Sequence, residues 1–129
     1  MKKVTLGLFA TLFLLVIIAA QPGPSQSPVD EIGVRVAPQT ILLVWNTSGN
    51  VRITIHADID YSTVDTYSVE LGGIEAMSTK ADARGNLVAK FSYEEVLTLV
   101  DAGTATLVLT GSRTDGTPFE GSDTVRVVG

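Results

Sequence analysis

Residues 104–128 read TATLVLTGSRTDGTPFEGSDTVRVV, and the register in which this stretch folds back on itself decides what the rest of the chain can be. Asp115 and Gly116 mark a turn between two runs that alternate apolar and polar residues, the pattern of a β-hairpin with one buried face. A loop of only these two residues would set Leu109 against Ser122 and Leu107 against Thr124. A loop of Thr114, Asp115 and Gly116, with the glycine in the left-handed region, pairs Arg113 with Thr117 and Gly111 with Phe119 instead. Leu107, Leu109, Phe119, Val125 and Val127 then share one face. Gly111 comes opposite the bulky Phe119 and Gly121 opposite Leu109, each leaving room for a large partner. The same register turns Asp123 toward the core side, opposite Leu107. A carboxylate there must be hydrogen bonded, because burying it unpaired costs several kcal/mol. Two roles fit: a tie for nearby backbone amides or hydroxyls at the sheet edge, or a cation ligand together with Glu120 or Asp115.

Working outward, residues 51–59, VRITIHADI, alternate without a break and predict a strand with Val51, Ile53, Ile55, Ala57 and Ile59 inward. The apolar run 41–45 lies just before the turn-forming residues 46–50, so the two runs are expected to form a hairpin. Ile32, Val34 and Val36 alternate in a first strand that stops at Pro38. Residues 60–65 read as a loop and 66–71 as a strand ended by Gly72 and Gly73, with a further extended piece over 74–79. After the turn ADARGN (81–86) comes LVAKF, with Leu87, Ala89 and Phe91 on one face. The period then changes. Ser92 caps, Glu95 sits at the capping-box position, and Val96, Leu97, Leu99 and Val100 form a helical stripe over 93–101, with Gly103 as the stop. The prediction is an all-β fold: an immunoglobulin-like antiparallel β-sandwich of about seven short strands with one short helix.

The ends and the composition bound the setting. Lys2 and Lys3 precede an uncharged apolar run over 4–20, the shape of a hydrophobic helical signal segment, removed after Ala20 or retained as an N-terminal anchor. Residues 21–28, QPGPSQSP, are a linker composition, which leaves residues 29–129 as one domain with one core. Without residues 1–20 the chain carries seven basic and fourteen acidic side chains, a net charge of −7. That balance argues against nucleic acid as a partner, because phosphate binding needs a basic face. With no cysteine in the chain, neither disulfides nor thiolate metal sites contribute, and the core alone must hold the domain.

Residues 85–129, GNLVAKFSYEEVLTLVDAGTATLVLTGSRTDGTPFEGSDTVRVVG, resemble the C-terminal half of immunoglobulin-like modules that recur in large exported proteins of archaea and bacteria. The shared features are a strand ending in Lys-Phe, a short helix, a strand ending in Thr-Gly, then Asp-Gly-Thr and Phe-Glu-Gly-Ser-Asp. Residues 58–74 are similar to the middle of such modules. The resemblance implies a non-catalytic sandwich among other extracellular modules, and no particular ligand. Where members often carry an aspartate-rich, calcium-like loop, this chain has ADARGN, with Asp82 and Asn86 as its side-chain oxygen donors.

Calcium takes six to eight oxygens with several carboxylates close together, so the candidate metal ligands are Asp58, Asp60 and Asp65 as one group, and Asp82 and Asp123. No other cofactor is implied. Trp45, Tyr61, Tyr67 and Tyr93 are candidate stacking platforms for sugar rings, and Asn46 heads an Asn-Thr-Ser glycosylation acceptor. His56, the one histidine, stands on the polar face of its strand with no nucleophile signature nearby. Glu94 and Glu95 are accounted for by a helix start. These residues point away from catalysis. They point toward an exported module of the cell surface or matrix, acting on other extracellular proteins or surface glycans. The alternatives are a carbohydrate-binding module using Trp45 with Tyr61 and Tyr67, and a self-assembling fibre subunit that donates residues 29–36 to a neighbour's sheet.

Overall fold

A computed structural model describes residues 28–43 and 51–129. The signal segment 1–20, nearly all of the linker, Trp45 and Asn46 lie outside the described residues. The elements in chain order are β1 (Asp30–Glu31), β2 (Val34–Ala37), β3 (Thr40–Leu42), β4 (Arg52–Asp60), a 3₁₀ turn (Tyr61–Thr63), β5 (Val64–Leu71), β6 (Ile74–Glu75), β7 (Ser78–Ala81), β8 (Asn86–Ser92), α1 (Tyr93–Leu97), β9 (Gly103–Arg113) and β10 (Pro118–Val128). The fold is all-β, in two sheets. One runs β1-β10-β9-β5-β6, with β3 also on β10; the other runs β2-β4-β8-β7. Ile53, Ile55, Leu87 and Phe91 of the second sheet bury against Leu71, Leu109, Phe119 and Val125 of the first in one cluster. Fully burying a side chain of this size contributes about 1.5–3 kcal/mol.

The β9–β10 ladder has the three-residue-loop register: Gly111 pairs with Phe119, Gly121 with Leu109 and Asp123 with Leu107. Gly116 sits at φ 92°, its amide bonded to the Arg113 carbonyl at 2.8 Å, and the Arg113 amide reaches the Thr117 carbonyl at 2.9 Å. Gly111 has the expected cause, since a Cβ there would lie 2.5 Å from Cζ of the Phe119 ring. Gly121 does not. Its Cβ would meet the Ile32 carbonyl oxygen at 2.5 Å and the Val34 Cγ2 methyl, so the room it leaves is for the N-terminal segment passing over β10 rather than for Leu109.

Four other expectations are corrected. The first strand is split: Asp30 and Glu31 pair in parallel with β10, the chain changes sheets at Ile32 and Gly33, and Val34–Ala37 pair antiparallel with β4. Gly33 allows this crossing, because the Asp58 carboxylate occupies the space a side chain would need. Among the described residues, the expected hairpin of residues 41–45 with 51–59 does not form. β3 returns to β10 in parallel, Ile41 against Val127, and the Tyr93 hydroxyl accepts from the Leu42 amide at 2.8 Å and donates to the Leu42 carbonyl at 3.3 Å. A core tyrosine thus satisfies the backbone that a hairpin partner would have used. The piece over 74–79 also divides, with β6 on β5 and β7 on β8, so edge pieces on both sheets raise the strand count to ten among the described residues. The helix stops at Leu97: Ser92 caps it, accepting from the Glu95 amide at 3.3 Å, but the Thr98 and Leu99 amides already bond three residues back. Val96 and Val100 are buried as the stripe predicts, whereas Leu99 is exposed, lying across Gly72.

Replacing Gly121 by Ala is expected to destabilise the fold by about 1–3 kcal/mol, the range for overpacking a filled site, because a Cβ there would collide with the Ile32 backbone carbonyl as well as with the Val34 methyl. Tyr93→Phe removes the hydroxyl bridge to Leu42 and is expected to cost about 1 kcal/mol. Both are read from denaturant midpoints at unchanged slope.

Candidate functional site

Three of the acids named as metal candidates, Asp60, Asp65 and Asp82, hold turns. Asp60 caps the 3₁₀ turn, its Oδ1 accepting from the Ser62 amide at 3.0 Å and the Ser62 hydroxyl at 2.8 Å; the hydroxyl bond first, then the amide, lowers its pKa. Asp82 Oδ1 accepts from the Arg84 amide at 2.8 Å and the Asn86 amide at 3.0 Å, closing ADARGN into a tight turn. The Asn86 amide is the larger cause of its lowered pKa. Asp65 Oδ1 accepts from the Tyr67 amide at 3.2 Å, and Asp115 Oδ1 accepts from the Thr117 amide and hydroxyl at 2.9 and 2.7 Å. Asp58 stands over Gly33. Among the described residues no three acids or histidines converge on one point that a metal ion would occupy.

Asp123 is partly buried at the sandwich edge. Its Oδ2 accepts from the Val36 amide at 2.9 Å and the Gln39 side-chain amide at 2.8 Å, and its Oδ1 accepts from the Thr124 amide at 2.9 Å. The Val36 amide is the chief cause of a pKa held below the ordinary 3.8. The carboxylate therefore ties β2 of one sheet to β10 of the other.

The tyrosines separate. Tyr93 is buried, and Tyr61 packs against the core with its hydroxyl 3.5 Å from Thr79 Oγ1. Tyr67 is 96% exposed, and the cause is a wide bulge. β5 pairs Asp65 with Ser112 and then Glu70 with Thr110, so four residues stand opposite Gly111 alone. Ser68 Oγ bridges the gap, accepting from the Ser112 amide at 2.8 Å and donating to the Asp65 carbonyl at 2.6 Å. Bulges re-aim side chains, and this one presents Tyr67.

The broad sheet faces carry opposite charge. Across the outer face of the five-stranded path, one cross-strand row reads Glu31, Glu120, Thr110, Glu70, Glu75. Among the described residues none of its four glutamates forms an ion pair. Across the outer face of the other sheet a row reads Arg35, His56, Val88, Lys80, with Lys90 and Arg52 in the rows beside it. Val88 is only 3% exposed although it faces outward, lying between His56 and Lys80. An open groove of about 460 Å³ follows this face, lined by Arg35, His56, Asp58, Asp82 and Arg84 among others. A second, of about 370 Å³, lies beside Glu31, Glu120 and Ser122. Arg126 stands on the acidic side but in a separate row, between Thr104 and Thr40.

Alternation alone puts these charges outward; their alignment into rows depends on registers between distant strands and on the β5 bulge. One local signal was present. The two-residue Gly72–Gly73 turn, at φ 57° and 91°, sets Glu70 opposite Glu75. No protein-family model matches this chain, and neither a curated protein nor a solved structure matches it.

Replacing Asp123 by Ala leaves the Val36 amide without its acceptor and is expected to cost about 1–3 kcal/mol, equally with and without calcium, in thermal unfolding. Because the folded pKa is depressed, the stabilisation is present above the unfolded value near 3.8 and is lost as pH falls through the lower folded value. The acid limb of the wild-type stability profile is therefore expected below about pH 4, and Asp123→Asn is expected to flatten it.

Proposed function

We propose that the chain is an exported, non-catalytic immunoglobulin-like module that acts by contact at the cell surface or in the surrounding matrix. The observation that carries the reading is the strand order. Sheet β2-β4-β8-β7 facing β10-β9-β5-β6 supports it, since the immunoglobulin sandwich likewise sets a four-strand sheet opposite one built on its last two strands and the third. The similarity of residues 85–129 to modules of exported archaeal and bacterial proteins points the same way, as does the leading apolar run of the sequence. The acids support it further, since Asp60, Asp82, Asp115 and Asp123 hold backbone amides. Among the described residues no helix is long and apolar enough to cross a membrane.

A carbohydrate-binding role is favoured by one observation, the exposure of Tyr67; Trp45 lies outside the described residues. Strand donation from residues 29–36 is the weaker reading. Asp30–Glu31 and Val34–Ala37 are hydrogen bonded within their own chain, one pair on each sheet, and donation would break both.

Expressed in a secreting bacterial host, the full chain is expected in the exported fraction with its N-terminus at Gln21, determined by Edman sequencing. A chain retained in the cytoplasm overturns the export reading. Applied to a glycan array and to immobilised cell-wall protein, the chain is expected to bind without turning over any substrate, and calcium is expected to leave its unfolding midpoint unchanged. Glycan binding lost in Tyr67→Ala would select the carbohydrate-binding alternative.

A further inference from the structure

The glutamate row is an unfavourable arrangement for an isolated domain. Glu31 lies directly opposite Glu120, and Glu70 directly opposite Glu75, and like charges at directly opposed positions destabilise a sheet. A cationic surface laid against the row relieves that repulsion, and the chain carries one on its other side. The two rows also match in pattern. Glu31 and Glu70 stand at the first and fourth places of one row with Thr110 at the third, and Arg35 and Lys80 stand at the first and fourth places of the other with Val88 at the third, the His56 ring taking the place that Glu120 has opposite it. Both rows run perpendicular to their strands, where neighbouring strands are about 4.8 Å apart, so each four-member row spans about 14 Å and its end charges are equally far apart.

Resting on the reading that this module works by contact, we infer that its partner is a second copy of the chain. The glutamate face of one copy stacks on the Arg35–His56–Lys80 face of the next. Sheets packed face to face keep their strands within about 30° of each other, which leaves the perpendicular rows nearly aligned. The contact is heterologous: each copy uses a different face toward each neighbour, so both faces of an added copy remain available and the assembly grows as an open filament unless its rotation closes a ring. A patch four strands wide and about six residues long buries on the order of 400 Å² per partner, small for a stable interface. The association is therefore reversible and depends on salt.

The test uses the full chain and two charge-reversed forms with the same N-terminus, so that any association through the apolar leader is common to all three. Glu70→Lys with Glu120→Lys cancels the net charge of the glutamate row, since Glu31 and Glu75 remain, and Arg35→Glu with Lys80→Glu makes the opposite row anionic. In sedimentation velocity at ~0.1–1 mM protein, where a small interface is populated, the wild type is expected to associate and to weaken at least tenfold between ~50 and ~500 mM salt. Each variant alone is expected to lose that association, and an equimolar mixture to regain it. The neutral pair Glu70→Gln with Glu120→Gln, which creates no new charge, is expected to weaken association in the same direction, and it replaces the lysine form if that form does not retain the wild-type unfolding midpoint. A wild type that stays monomeric at low salt, variants that associate as well as the wild type, or a mixture of folded variants no better than either alone would each overturn the stacking. None of these outcomes bears on contact with other surfaces, which the array experiment decides separately.

Discussion

Most of the six-stranded sheet depends on the pairing of β10. That strand holds β9 along its whole length and also carries β1 near one end and β3 at the other. Its position is set by the Thr114–Asp115–Gly116 loop and by the Phe119 ring filling the space over Gly111. A slip of one residue would turn Phe119, Val125 and Val127 outward and Glu120, Thr124 and Arg126 inward, because side chains alternate between faces at every step. The burial of all three apolar residues is therefore a single condition. The Asp123 carboxylate adds a second lock, since it reaches the Val36 amide only when it points toward the opposite sheet.

What could be read in advance follows how local each determinant is. The β9–β10 register was legible because one three-residue loop and one aromatic ring determine it. The strand β4 was legible because Ile53, Ile55, Ala57 and Ile59 alternate with polar residues and are buried as that pattern requires. The path of residues 30–42 was not, because three short edge strands with at most two inward residues each have no period long enough to detect. What directs them lies elsewhere in the chain: the space at Gly121, the Asp58 carboxylate over Gly33 and the Tyr93 hydroxyl at Leu42. The candidate aspartates were visible as residue types, and their turn-forming spacing already offered a use for them. The charged rows were invisible for a different reason, since they exist only once four or five strands have been placed side by side.

Acidity accordingly has two uses in this domain. Where an aspartate stands in a turn its charge is answered locally by amides, as Asp60, Asp82 and Asp115 show, and little of it is left for a ligand. Where a glutamate stands on the broad face it receives no such answer. The ion pair at the hairpin end, Arg113 with Asp30 at 2.9 Å, bonds β9 to β1 across the start of β10. It is partly exposed, and pairs of that kind contribute little to stability.

The two parallel attachments to β10 also govern how the domain bears load. A pull applied at residue 28 and at residue 129 draws β1 and β10 past one another along their shared axis, rather than peeling them apart from an end. The ladder bonds of Asp30 and Glu31, the Ile32 amide on the Glu120 carbonyl and the β3 bonds to residues 126–128 then resist in shear. The Asp123 tie to Val36 couples the second sheet into the same resistance. A domain joined to its neighbours through its ends is held closed by bonds that share the force, and its lifetime under tension is a matter of unfolding rate more than of equilibrium stability.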